Sequence, residues 1–232
     1  MKLTKHFNFT NDSSLDNKYW NVAVGEKWAN HELQHYVDDS EHLFFEDGLV
    51  LKATYQDGIY KSGRISTKHK FSFQYGRIDI VAKVPKGMGT WPALWMMSAT
   101  SPYGRWPRSG EIDIMEHVGR NEDNIFLCLH TASYNHVLGD SFYKEIVIEG
   151  ATDSFHTYSI DWQEDKITYY IDNKLIVSYS KFDREDKSSK GWPFDHPFFL
   201  IINLAIGGKF GGDVDNTIFP VEFIIKDIKI YQ

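Results

Sequence analysis

Apolar residues recur at every second position over much of this chain. A polypeptide patterned that way buries them by pairing extended strands into sheets. Leu49, Leu51 and Ala53 alternate with Val50 and Lys52, and Gly58 marks the turn that follows. Phe71, Phe73 and Tyr75 alternate with polar residues; the phase resets at Gly76, and Ile78, Ile80, Ala82 and Val84 continue it. A glycine at a phase change inside a strand predicts a bulge or bend. Ile167, Tyr169 and Ile171 face Leu175, Val177 and Tyr179 across Asp172-Asn173, the signature of a hairpin. Phe198 to Ile206 is nearly continuous apolar sequence, as in a strand covered on both faces, and Gly207-Gly208 with Gly211-Gly212 predicts a flexible loop after it. Val221 to Tyr231 reads as the last strand, and the charged stretch Phe182 to Lys190 as a surface loop with at most one helical turn. No internal repeat and no long amphipathic helix breaks this pattern. Many short strands at regular spacing predict two packed antiparallel sheets, an all-β sandwich, in one domain spanning residues 1–232.

One segment departs from simple alternation in an informative way. It runs from Ser109 to Gly119, with Glu111, Asp113 and Glu116 among Ile112, Ile114 and Met115. Glu111 and Asp113 are two apart and share a face; the isoleucines share the other. Strict alternation would place Met115 with the acids and Glu116 with the isoleucines. One extra residue near Ile114-Met115, a β-bulge, corrects the phase and turns Glu116 toward Glu111 and Asp113. Three carboxyls on one face of one strand repel each other, a cost that structure alone does not repay. It is useful where a reaction needs one ionised and one protonated carboxyl, because each acid raises the pKa of its neighbours. Such a trio titrates as a coupled set. A retaining glycosidase places its two carboxyls roughly 5–5.5 Å apart, one as nucleophile and one as proton donor. The plain alternative is an acidic, solvent-facing strand.

Composition narrows the partners. Aromatic residues make up 16% of the chain, which suits a surface that stacks flat apolar faces such as those of sugar rings. Trp91 and Trp95 lie on one face of a short strand, and Trp106 lies five residues before Glu111. Core packing is the alternative use for Trp91 and Trp95. The formal net charge is −7 with no cluster of Lys and Arg, which excludes nucleic acid as the expected partner and disfavours highly sulfated polymers. The longest apolar stretch, Phe198 to Ile202, is far too short to span a bilayer, so no membrane partner is expected. Cys128 is the only cysteine, so there is no intrachain disulfide. Lys2 and Lys5 near Met1 are followed by no apolar core of a signal peptide, as expected of a cytosolic enzyme or an excised mature module.

Gly110 to Glu116 (Gly-Glu-Ile-Asp-Ile-Met-Glu) resembles the signature of glycoside hydrolase family 16 in its laminarinase-like, bulged form. Tyr75 to Asp79, Lys83 to Gly87 and Trp91 to Trp95 resemble the same group, as do Phe155 to Tyr158, Asp161-Trp162, and Trp192 through Gly208. The likeness covers Trp20 to Tyr231. It implies a two-sheet antiparallel β-jelly-roll sandwich, concanavalin A-like, with an open concave cleft. Carried over residue by residue, Glu111 matches the nucleophile, Glu116 the acid/base and Asp113 the helper between them. Asn30, Arg64, Trp95 and Trp106 match cleft residues that hold sugar, and Trp91 is expected to join them. His130, on the next predicted strand, is placed to meet Asp113 or the sugar, or else serves as a structural histidine. The expected substrate is a β-1,3-glucan of the laminarin type, with mixed β-1,3-1,4-glucan as a second; agar- and carrageenan-cleaving relatives share the acid trio. Loops Ser98 to Arg108 and Ser133 to Ser141 are expected to choose among these. The implied enzyme needs no catalytic cofactor, acts as a monomer and is secreted, because a polymeric substrate cannot enter a cell. The resemblance also implies a structural calcium bound by the Gly48 carbonyl and Asp227. The chain departs from the family at Val81, where members often carry Arg, and at Lys5-His6, which lacks a glutamate that often helps hold that calcium.

Two other readings compete. His31-Glu32-Leu33-Gln34-His35 fits the H-E-x-x-H pattern of zinc peptidases, which requires a helix. The flanking residues read as extended chain and turn, which places the histidines too far apart for one ion. A sugar-binding jelly roll without catalysis would use the same tryptophans but has no need of a bulged acid trio.

Overall fold

The computed structural model describes residues 1–232. In chain order its strands are β1 (Leu3–Asn8), β2 (Asn21–Val22), β3 (Gln34–Tyr36), β4 (Leu43–Phe45), β5 (Leu49–Gln56), β6 (Ile59–Ser62), β7 (Arg64–Ser66), β8 (Gly76–Lys83) and β9 (Thr90–Ser98). They continue with β10 (Glu111–His117), β11 (Asn124–His130), β12 (Phe142–Val147), β13 (His156–Gln163), β14 (Lys166–Ile171), β15 (Lys174–Ser180), β16 (Phe198–Ile206) and β17 (Val221–Tyr231). One sheet has the order β12-β11-β10-β9-β16-β7-β2. The other runs β15-β14-β13-β8-β17-β5-β6-β3, with β1 beside β17 and β4 beside β5. Pairing is antiparallel except between β3 and β6. Two such sheets face to face are the predicted β-jelly-roll sandwich.

The period-two pattern explains the layers. On β9, Leu94 and Met96 enter the core, while Trp91, Ala93, Trp95 and Met97 line a cavity on the opposite face. On β16 all nine residues are buried: Phe198, Leu200, Ile202, Leu204 and Ile206 join the core, whereas Asn203 and Ala205 line the cavity. Trp162 is fully buried among Phe73, Tyr75 and Phe198, each meeting it nearly edge-on. The hairpin β14–β15 turns at Asp172-Asn173 with both residues at positive φ, as a two-residue hairpin turn requires.

Two local expectations change, and the charged loop is as expected. Phe71 to Tyr75 is not a regular strand; only Phe73 bridges to Phe198, and β8 begins at Gly76. The phase change is therefore a strand start rather than a bulge. Gly76 sits at φ 116°, where a Cβ would lie 2.2 Å from the Tyr231 carbonyl oxygen. The glycine-rich segment after β16 forms a helical turn, α1 (Gly208–Gly211), which seats Phe210 against Trp91 and Phe126. Phe182 to Lys190 contains turns but no helix; Arg184 ties it to Asp140 and Asp186 to Ser133. No helix is long and apolar enough to cross a membrane.

Candidate active site

The acids lie on β10, in the interior of the seven-stranded sheet. Against β9, Asp113 pairs with Trp95 and Met115 with Leu94, so the register slips by one residue between them. Against β11, Asp113 pairs with Cys128 and Glu116 with Phe126. This is the predicted bulge. Ile112, Ile114 and Met115 are buried in the core, and Glu111, Asp113 and Glu116 line one cavity of about 390 Å³ on the other face. The same cavity is lined by Asn30, Arg64, Trp91, Trp95 and Trp106.

Each acid has distinct company. The Trp91 indole N–H donates to Glu116 Oε1 at 2.9 Å. His130 Nε2 lies 3.4 Å from Asp113 Oδ2 and 3.8 Å from Glu111 Oε1. Asp113 is almost fully buried, and its Oδ2 has no hydrogen-bond partner. Burial pushes all three carboxyls upward. Glu111 rises to about 8, through burial and then the charge of Glu116, partly offset by Trp106 and Arg64. Glu116 rises to about 7 through burial, held down by the Trp91 bond. Asp113 is raised by burial and by both glutamates. The steps belong to the set, and between them lies a state with one glutamate ionised and the other protonated. Burial lowers His130 to about 4, so its ring is neutral at working pH.

Polar contacts beside the acids run across the sheet. The Trp95 indole donates to Asn203 Oδ1 at 2.7 Å, Asn203 Nδ2 donates to the Tyr36 hydroxyl at 3.1 Å, and Gln34 Nε2 donates to Glu32 Oε2 at 2.8 Å. The Arg64 guanidinium lies over Trp28 at 4.8 Å and over Trp95 at 5.1 Å, which fixes its position without an ion pair. Trp28, Glu32, Asn203, His136 and Lys209 also line the cavity, and sequence reasoning assigned none of them to it. Asn203 carried a signal, as the polar interruption of an apolar run. His136 lies in a loop expected to govern substrate choice, whereas Lys209 carried no signal, because it arrives from α1. Trp106 and His136 meet with ring centres 5.4 Å apart, joining the two loops expected to govern substrate choice.

The H-E-x-x-H segment is extended, as its flanks indicate, and not the helix a peptidase needs. Ala29–His31 is a short 3-10 turn in which Asn30 and His31 have positive φ, and the chain is extended from Glu32 into β3. His35 pairs with Glu26 at 3.0 Å, and Glu32 faces the cleft. The oxygens assigned to calcium also do not fit one. Asp227 Oδ1 meets His6 Nε2 at 2.7 Å, Asp227 Oδ2 meets Lys229 Nζ at 2.9 Å, and the Gly48 carbonyl accepts the Glu46 N–H at 2.9 Å. A nitrogen base and an ammonium thus occupy the carboxylate that a cation would need.

An all-β sandwich with carboxyls and indoles along an open groove belongs to the class of polysaccharide-processing proteins. Comparison makes this specific: the chain belongs to glycosyl hydrolases family 16, whose model matches residues 31–218. It is 39% identical to a beta-glucanase of Rhodothermus marinus, over 94% of this chain and 80% of the relative. Among solved structures it resembles the laminarinase from Flavobacterium sp. UMI-01, at 40% identity and TM-score 0.92, with both chains covered completely. It also resembles SCLam, a non-specific endo-beta-1,3(4)-glucanase, at 32% identity and TM-score 0.90, over 100% of this chain and 91% of that one.

The Trp91 bond supports a prediction. An N–H donor stabilises the charged form of Glu116, so its removal raises the carboxyl's pKa. Trp91→Phe is expected to move the alkaline limb of the kcat/KM profile to higher pH and to lower the maximal rate about tenfold. A limb that stays in place would separate Trp91 from the acid's titration.

Proposed function

We propose that the protein is a retaining, endo-acting hydrolase of β-1,3-glucosidic bonds in laminarin-type glucans, with mixed β-1,3-1,4-glucan as a second substrate. The observation that carries the reading is the bulge at Ile114-Met115, which turns Glu116 to the side of Glu111 and Asp113 in an indole-lined groove. Glu111, ionised, attacks the anomeric carbon while Glu116 gives its proton to the departing glycosidic oxygen. The product of that step is a glycosyl ester on Glu111. Glu116, now a carboxylate, takes a proton from water, and the water oxygen displaces Glu111 from the anomeric carbon. Asp113 lies between them, orients Glu111 and helps set the pKa of Glu116. Neutral His130 packs beside Asp113, its Nε2 3.4 Å from Oδ2. Asn30, Arg64, Trp95 and Trp106 position the glucan chain, so that binding remote from the scissile bond helps distort the reacting ring. Carboxyl chemistry of this kind calls for no cofactor. Residues 1–232 act as one catalytic unit, working as a monomer outside the cell on a polymer that cannot enter it.

Reducing-sugar release from laminarin, lichenan, agarose and carrageenan tests the substrate. Laminarin is expected to be cleaved fastest, lichenan more slowly and the two galactans not at all. Proton NMR of the first product is expected to show the β anomer; early α anomer contradicts the double displacement. A non-catalytic lectin would bind laminarin without releasing reducing ends.

A further inference from the structure

Cys128 is the chain's only cysteine and stands directly across from Asp113 in the β10–β11 ladder. It therefore projects from the same face of the sheet as the acids. A second cavity, also lined by Glu111, Glu116 and His130, opens onto it. The Asp113 oxygen, the Cys128 sulfur and a His130 ring nitrogen all lie within 4.8 Å of one another, and all three residues are buried. Asp113 Oδ2 is an acceptor with no partner, aimed into this cluster.

A tetrahedral ion with bonds of about 2.0–2.3 Å places neighbouring donors roughly 3.3–3.8 Å apart. The Asp113 Oδ2 to His130 Nε2 separation of 3.4 Å already matches that edge. The sulfur needs a shift of about 1–1.5 Å at most to complete a three-donor face. Glu111 Oε1, 3.8 Å from the same His130 nitrogen, is the nearest fourth oxygen. Thiolate, imidazole and carboxylate together suit zinc or another thiophilic divalent ion and do not suit calcium or magnesium. The cleft gives such an ion an open path to the cluster.

We propose that Asp113, Cys128 and His130 form an inhibitory site for a thiophilic divalent cation, zinc in the first place. Binding takes Cys128 as the thiolate and releases its proton to solvent. The ion holds Asp113 and His130 to itself and draws on Glu111, so the nucleophile loses both its orientation and its electron density. The site itself follows from the donor geometry, and only its effect on hydrolysis rests on the function proposed above.

Cobalt and zinc added to the metal-free protein test it. Wild type is expected to bind one zinc per chain in equilibrium dialysis and to show a cobalt–thiolate charge-transfer band with cobalt. Laminarin hydrolysis should fall at least tenfold at saturating zinc and return with a chelator. Cys128→Ser is expected to keep zinc-free activity within about twofold, to lose the cobalt band and to weaken zinc binding at least tenfold. Absence of the cobalt–thiolate band in wild type overturns the site, whether or not the variant folds. So does zinc binding of equal strength in the serine variant. Binding and band without loss of hydrolysis would keep the site and overturn the inhibition.

Discussion

Glu111→Gln is expected to lower kcat/KM on laminarin by at least about 10⁴-fold, because an amide cannot form the glycosyl ester and no other group replaces a lost nucleophile. The same substitution should make the protein more stable at alkaline pH. Burial and the charge of Glu116 raise the folded pKa of Glu111 to about 8, above its unfolded value near 4.3. A group shifted in that direction contributes stability that is fully present below the unfolded pKa and lost as pH rises through the folded one. Glutamine is neutral throughout and escapes the loss. Calorimetry should therefore find similar Tm values near pH 4 and a higher Tm for the variant above pH 8. Each kcal/mol recovered corresponds to about 2–4 °C in a domain of this size. A variant that loses activity but gains nothing at high pH would show that the buried charge is already well solvated. The acid cluster would then carry less strain than its burial implies.

The same burial sets the pH dependence of catalysis. Glu111 and Glu116 must differ by one proton, and burial raises both above the ordinary carboxylate range, so the window for that state is displaced toward neutral and alkaline pH. Both limbs of the bell should reflect the pair, and substituting either glutamate should move the limb that remains.

Legibility in the sequence followed the range of the forces involved. The acid trio could be read because Glu111, Asp113 and Glu116 lie on one strand, where local alternation plus one bulge decides which way each points. The buried strand β16 and the Asp172-Asn173 turn are local in the same sense. Phe71 to Tyr75 alternates like a strand yet pairs only at Phe73, since its rings serve the core without a neighbouring ladder. The H-E-x-x-H match is set aside because its flanks read as extended chain, and β3, which pairs with β6, is that extended chain. Lys209 reaches the cleft from α1, a segment remote in the chain from the acids, and nothing in its immediate neighbours records where it ends. The expected calcium depended on a likeness at Asp227, whereas His6 and Lys229, on strands β1 and β17, already contact both its oxygens.

Glu116→Ala should separate the two steps of the reaction. On laminarin, where the leaving sugar oxygen needs a proton, the rate is expected to fall by about 10²–10⁴-fold. On dinitrophenyl β-laminaribioside the phenolate leaves unprotonated, so the first step should be nearly intact. The second step still lacks its base, and water attacks the glycosyl ester slowly. Stopped-flow absorbance should then show a burst of phenolate equal to the enzyme concentration, followed by slow turnover. Azide needs no base, and with the carboxylate gone no negative charge repels it. It should restore the steady rate and leave a β-glycosyl azide, because it approaches the face opposite Glu111. In Glu111→Ala the same anion takes the place of the nucleophile and must give the α-azide instead. The two products exchange places if the residues exchange roles, so the anomer of the azide reports which carboxyl the bulge has made the acid.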